Sequence, residues 1–197
     1  AGGVPAEITA NWKTKKVGTV DVEFGFSCMG YEIAGAWGAR IAQVEKEPEA
    51  STICFVGDGS YLMLNSDIYS SVLTNKKLIV LVLDNGGFAV INKLQNNTGN
   101  ISYNNLIEDC PTVSAPFRVD FVAHAKSMGA LVHTAENIPE LRSAFIIAQK
   151  AKQTTVIVMK VDPYVGWTEG GHAWWEVGTP NISERNTVKE AHIEWEA

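Results

Sequence analysis

The sequence predicts an α/β fold, three layers α/β/α around a mostly parallel, doubly wound sheet. Two observations predict it. Three short runs are apolar without alternation, Ile53–Val56, Leu78–Leu83 and Thr155–Met159, which suits strands covered on both faces, the habit of parallel sheets. Segments with helical spacing lie between them, and strands alternating with helices make βαβ units. Ala130–His133 is a fourth, weaker strand candidate.

The elements follow in order. Residues 1–26 are rich in Gly, Thr and Lys without a sustained period, and read as a connecting segment. Met29, Ile33, Trp37, Ile41 and Val44 recur at helical spacing, beside a stripe of Gly30, Ala34, Gly38 and Ala42 that would permit close approach of a neighbour. Tyr61–Leu73 carries Leu64, Ile68 and Val72 on one side and predicts a single helix. Asp120 is the expected N-cap of Phe121–Met128, with Gly129 in the left-handed position after it. Asn137 caps the next helix, where Pro139 is tolerated in the first turn. Gln95–Arg118 is too long and polar for an inert connection, and such loops are lids or disordered. The domain then runs over 27–163, and 164–197 is an aromatic tail holding Trp167, Trp174, Trp175 and Trp195.

Composition narrows the function classes. At 46% hydrophobic and 19% charged residues, the chain is neither disordered nor collagen-like. Its net charge of −6 comes without a basic cluster, which argues against nucleic-acid and membrane surfaces. No apolar run approaches the roughly 18 residues of a membrane span. Cys28, Cys54 and Cys110 have no metal-finger spacing, and a reducing cytoplasm is the expected compartment. With no initiator Met and no leader pattern, the chain reads as a piece of a longer polypeptide.

In open α/β sheets ligands bind beyond the carboxyl ends of the strands. Gly57-Asp58-Gly59-Ser60 sits there, between an apolar strand and a helical pattern. Glycines permit a tight turn and close backbone approach, and a helix start offers N–H groups to a phosphate. Asp58 would repel a bare phosphate but would hold a divalent cation that phosphates also grip. Taken alone, an Asp-Gly surface turn explains these residues as well. After the 24 residues Ser60–Leu83 comes Asp84-Asn85-Gly86-Gly87, again at the end of an apolar strand. Parallel neighbours would put Asp58 and Asn85 side by side. A carboxylate, an amide oxygen and a carbonyl are the hard ligands that suit Mg²⁺.

This pairing resembles the signature of thiamine-diphosphate-dependent enzymes, with Asp84 in place of the usual first Asn. The resemblance implies that Asp58, the Asn85 side chain and the Gly87 carbonyl hold Mg²⁺. It implies also that Gly57, Gly59 and Ser60 line the diphosphate, Gly59 and Ser60 through their amides. The stretch Phe24–Gly30, with Ala34, Gly35, Gly38 and Ala39, is similar to the family's pyrimidine-gripping segment, without its proline. Mapped here, Ser27 offers a carbonyl, and Met29 an amide and the wedge between the cofactor rings; a core methionine is the plain alternative. Gly2 and Gly3 weakly resemble a further diphosphate-side turn. The family's fold is a six-stranded parallel sheet. Its activating Glu lies on a separate pyrimidine-binding domain, usually from a second subunit, so the catalytic residue is expected outside this chain and the isolated piece inactive. Glu23 and Glu32 read as solvated or structural.

Val22–Ala36, Ile91–Gln95 and Trp174–Gly178 look closest to one branch, the trihydroxycyclohexane-1,2-dione hydrolases of myo-inositol breakdown. The resemblance implies a small cyclic polyol diketone as substrate, opened by water to 5-deoxy-glucuronate, and a homodimer or homotetramer. An acetolactate-synthase-like carboligase or a decarboxylase of 2-oxo acids is the alternative within the family. A non-catalytic cofactor-binding module is the alternative outside it. Asn92, Gln95, His172, Trp174 and Trp175 are candidates near the substrate, while structural docking of the tail is the plainer reading of the last three. His124 and His133 read as core or surface imidazoles.

Overall fold

A computed structural model describes residues 2–23, 25–110, 117–165 and 183–197. The chain divides into two compact units, 1–85 with 119–162, and 86–118 with 163–197.

The first unit is built on four parallel strands: β1 (Ile53–Gly57), β2 (Ile79–Asp84), β3 (Leu131–Ala135) and β4 (Thr155–Lys160). Their order is β1-β2-β4-β3. Each apolar run of the sequence is a strand, and the weaker candidate is β3. The described residues contain four strands where the family resemblance implied six. Those described between 12 and 30 hold no strand, and the chain leaves the sheet after Lys160.

Register explains the continuous apolarity. Cys54, Val80, Val156 and Val132 stand in one row across the sheet, and Val56, Val82 and Val158 in the next. This face packs on α2 (Tyr31–Lys46), α3 (Asp58–Met63), α4 (Asp67–Leu73) and α6 (Phe121–Ser127) through Ile33, Tyr61, Ile68, Phe121 and Ala125. The intervening row, Phe55, Leu81 and Ile157, faces α7 (Ile138–Lys150) through Leu141, Ala144, Phe145 and Ala148. Trp12, just past α1 (Gly3–Asn11), meets Phe55 edge-on at 5.8 Å on that same side. Both faces are covered, so neither can be polar. Val56, Val80, Val82 and Val156 are fully buried, each contributing roughly 1.5–3 kcal/mol of apolar transfer.

Both predicted caps form: Asp120 accepts from the Ala123 N–H and Asn137 from the Glu140 N–H, each at 2.9 Å. Gly129 is left-handed, at φ 83°. Three expectations are corrected. The opening segment contains α1. Tyr61–Leu73 is not one helix, because Leu64 turns to extended backbone and α4 begins afresh after Ser66. The small-residue stripe of α2 meets a neighbour at Gly30, whereas Gly38 faces open space.

The second unit holds α5 (Ala89–Asn97), a short 3-10 turn at Ile107–Asp109 and α8 (Asn186–Glu196). The polar stretch from Gln95 thus begins inside a helix. Gly99 lies against the start of α8: a Cβ there would meet the Thr187 carbonyl oxygen at 2.4 Å. Trp195 belongs to α8, its ring 5.4 Å from that of His192. Trp167, His172, Trp174 and Trp175 lie outside the described residues. Among the described residues, no helix is long and apolar enough to cross a membrane.

Candidate functional site

The carboxyl ends of β1 and β2 carry the first group of polar residues. The two strands are hydrogen-bonded neighbours, in register to Gly57 opposite Leu83. Asp58 and Asp84 are the next residues on each chain, and parallel neighbours lie roughly 4.8 Å apart. Asp58 opens α3 and is only 4% exposed. Gly59 and Ser60 complete its first turn, where N–H groups have no intrahelical acceptor. Asp84 is buried, and its carbonyl accepts from the Val161 N–H. Asn85 follows, and its Oδ1 is a buried acceptor without a hydrogen-bond donor among the described residues. Such an oxygen is costly to leave uncompensated.

Packing fixes α3 beneath this end of the sheet. Tyr61 is fully buried, edge-on to Phe121 at 5.3 Å, and its hydroxyl is 2.9 Å from His124 Nδ1. Burial pushes the phenol well above its ordinary range. Neither Gly57 nor Gly59 has positive φ. The tight-turn reason offered for these glycines is therefore corrected: Gly57 ends a strand in extended backbone, and Gly59 is helical.

The segment before α2 is held by two carboxylates, Glu23 and Glu32, whose role is the structural one of the two expected. Glu23 accepts from the Phe26 and Cys28 N–H groups. Those two bonds, Phe26 first, hold its carboxyl below the usual range. Glu32 accepts from the Gly30 N–H and the Ser60 hydroxyl, each at 3.0 Å. Ser27 sits at φ 51°, uncommon for a residue with a side chain. Met29 is half-buried. Gly30 is left-handed at φ 94°, and a Cβ there would lie 2.6 Å from Leu64 Cβ. The turn before α2 is thus packed on the end of α3 at Leu64 and hydrogen-bonded to its first turn at Ser60. That link spans 28 residues, and nothing local in the sequence signals it.

Gly3 is the first residue of α1, after Gly2 at φ 81°. Val4 Cγ2 would be 3.9 Å from a Cβ on Gly57, so this helix start lies at the same end of the sheet as the loop. Cys54 lies beneath, 3% exposed, and burial, with Glu32 next, pushes its thiol far up.

In the second unit, Gly87 has φ 148°, and a Cβ would meet the Asn105 carbonyl oxygen at 2.3 Å. Glycine is required there. The unit closes on that point through a bridge from Gly87 to Leu106, with Ile107 N–H donating to the Gly86 carbonyl. Gln95 accepts from Asn105 Nδ2 at 2.6 Å, which gives it a structural task. Asn92 is buried, its Oδ1 lacking a donor among the described residues.

No group of three His, Cys, Asp or Glu among the described residues is arranged to hold a metal. A single carboxylate with amide and carbonyl oxygens fits an ion that takes its remaining ligands from phosphate and water. The buried Asn85 oxygen, just past the end of β2, and buried Asp58, just past the end of β1, are donors of that kind. An apolar concavity between α1 and Thr14, Val20 and Val22 contains none of these residues.

Known proteins resemble this chain in sequence and fold. The family model described as "Thiamine pyrophosphate enzyme, C-terminal TPP binding domain" matches residues 2–159. A 3D-(3,5/4)-trihydroxycyclohexane-1,2-dione hydrolase of Clostridium botulinum is 39% identical over 196 residues, covering 97% of this chain and 30% of that protein. A relative of the same name from Bacillus cereus is 39% identical over 197 residues, covering 98% and 30%. The chain therefore spans about 30% of the length of these curated relatives. Benzoylformate decarboxylase from Polynucleobacter necessarius superposes with a TM-score of 0.57 at 23% identity, over 70% of this chain and 24% of that one. That likeness is one of fold.

Proposed function

We propose, from the premise that this chain belongs to the thiamine pyrophosphate enzymes and carries their C-terminal TPP-binding domain, that it holds the diphosphate end of the cofactor through Mg²⁺. The observation that carries the reading is the pairing of buried Asp58 with the donorless Asn85 oxygen at the ends of adjacent strands.

Asp58, the Asn85 side chain and the Gly87 carbonyl are the proposed ligands of the ion. Gly57, Gly59 and Ser60 receive the diphosphate, with the amides of the α3 start as donors. Ser27 and Met29 face the pyrimidine, the first through its carbonyl and the second through its amide and thioether side chain. Gly3, at the start of α1, is a further diphosphate-side residue. The activating Glu comes from a pyrimidine-binding domain outside these residues, supplied by a second copy in a homo-oligomer. When bound, thiamine diphosphate supplies a nucleophilic carbon and an electron sink for cleaving a bond beside a carbonyl. The chain's own residues orient it, hold the ion that would offset its phosphate charge, and donate amides to the diphosphate.

For the whole protein we propose the activity named for its relatives, the hydrolytic opening of 3,5/4-trihydroxycyclohexane-1,2-dione. Water adds across one ring C–C bond, giving 5-deoxy-glucuronate in myo-inositol breakdown. Identity of 39% across nearly the entire chain supports this reading over a carboligase or decarboxylase. Two experiments test it. Calorimetric titration of the full-length protein with thiamine diphosphate and Mg²⁺ should show binding that Asp58→Ala abolishes; unchanged affinity in that variant refutes the metal assignment. The full-length protein should consume the cyclic dione and form no acetolactate from pyruvate; the reverse pattern refutes the substrate.

A further inference from the structure

Two segments distant in sequence meet at a single side chain. Glu32 Oε2 accepts from the Gly30 N–H and Glu32 Oε1 from the Ser60 hydroxyl, both at 3.0 Å. Glu32 lies in the first turn of α2, so one oxygen holds the N–H of Gly30, the N-cap residue that directly follows Met29. The other oxygen reaches across to the last residue of the Gly57–Ser60 loop. Behind them, Gly30 is pressed on Leu64, the residue that ends α3. Contact and hydrogen bonds together leave little freedom for one segment to slide past the other. A carboxylate with a different donor on each oxygen works as a spacer of fixed length, and bonds to such a group are stronger than neutral ones.

We propose that Glu32 is a positioning residue: it sets the separation between the turn 27–30 and the loop 57–60, and so the length of cofactor the chain accepts. The inference rests on the reading that these segments hold the two ends of thiamine diphosphate. Its role is geometric, and it is not assigned a proton.

The test is a double-mutant cycle read as cofactor affinity, with calorimetric titration of the full-length protein at saturating Mg²⁺. Glu32→Ala should weaken thiamine diphosphate binding roughly tenfold or more, as expected for losing hydrogen bonds to a carboxylate. Ser60→Ala should weaken it less, and the double variant should bind no worse than Glu32→Ala, because the bond is already gone. Glu32→Gln keeps an acceptor for Gly30 and turns an amide donor to Ser60 Oγ, so it should bind within about threefold of wild type. A Glu32→Ala variant with wild-type affinity, additive losses, or a Gln variant as weak as the Ala variant would each overturn the proposal. If Glu32→Ala does not fold, Ser60→Ala decides alone, since it removes one arm of the bridge and spares the α2 start: weakened binding supports the spacer and unchanged binding overturns it. Asp58→Ala separates the two readings. Binding lost there but kept in Glu32→Ala leaves the cofactor assignment standing and removes the spacer, whereas binding kept in both removes the two together.

Discussion

Replacing Gly30 with alanine should unfold the first unit more easily, and the structure sets the size of the effect. Gly30 has φ 94° and ψ −11°. Alanine in the left-handed region costs about 1–2 kcal/mol. The new Cβ would fall 2.6 Å from Leu64 Cβ and 3.4 Å from its backbone N, well inside the roughly 3.5–4.0 Å at which carbons rest. The obstructing atom is anchored to backbone, so it cannot swing aside. The α2 start or the α3 end must move, and overpacking of this kind costs about 1–3 kcal/mol more. The expected loss is therefore about 2–5 kcal/mol. Gly38 is the internal control, lying in the same helix with nothing within 4 Å of its added Cβ. Alanine there removes the penalty of an interior helical glycine and should stabilise by about 0.5–1 kcal/mol. Urea denaturation followed by far-UV circular dichroism should give midpoint shifts of opposite sign. A Gly30→Ala protein as stable as wild type would refute the close packing of this turn on Leu64.

Two further outcomes follow from burial and charge. Brief native labelling with iodoacetamide, read by mass spectrometry, should modify exposed Cys28 and spare Cys54, whose buried thiol resists ionisation; equal labelling would contradict the core assignment. Glu23 is held below its ordinary value by the Phe26 N–H first and that of Cys28 next. A depressed carboxyl contributes fully above its unfolded value and loses that contribution as pH falls through the folded one. Hydrogen-exchange protection at Phe26 and Cys28 should hold at neutral pH, fade only in acid below the usual carboxylate range, and vanish at all pH in Glu23→Ala; protection persisting in that variant would refute the bond.

The strands were legible because burial on both faces leaves a mark one residue wide: every position of Leu78–Leu83 must be apolar. Caps at Asp120 and Asn137 were legible because each bond lies within three residues of its origin. The helix break at Leu64 was hidden, because apolar spacing continues across it while the backbone does not. Leu64 keeps that spacing yet is 42% exposed. The positions of Asp58 and Asn85 just past the ends of β1 and β2 were legible because a strand end is a local signal. Glu32 was missed as a bridge because its partner, Ser60, is brought near only by tertiary packing, and no short window of sequence contains both.

The strand order β1-β2-β4-β3 has a consequence for synthesis. Of the four described strands, the third in chain order lies at an edge, and its neighbour among them is the fourth. Until residue 160 has emerged, β2 carries an unpaired margin and β3 has nothing to zip onto. Assembly must wait for a late insertion between two earlier strands. Such long-range closure is slow and exposes sticky edges meanwhile, so a nascent chain stalled before Thr155 is the form in which this protein should most readily be lost to aggregation.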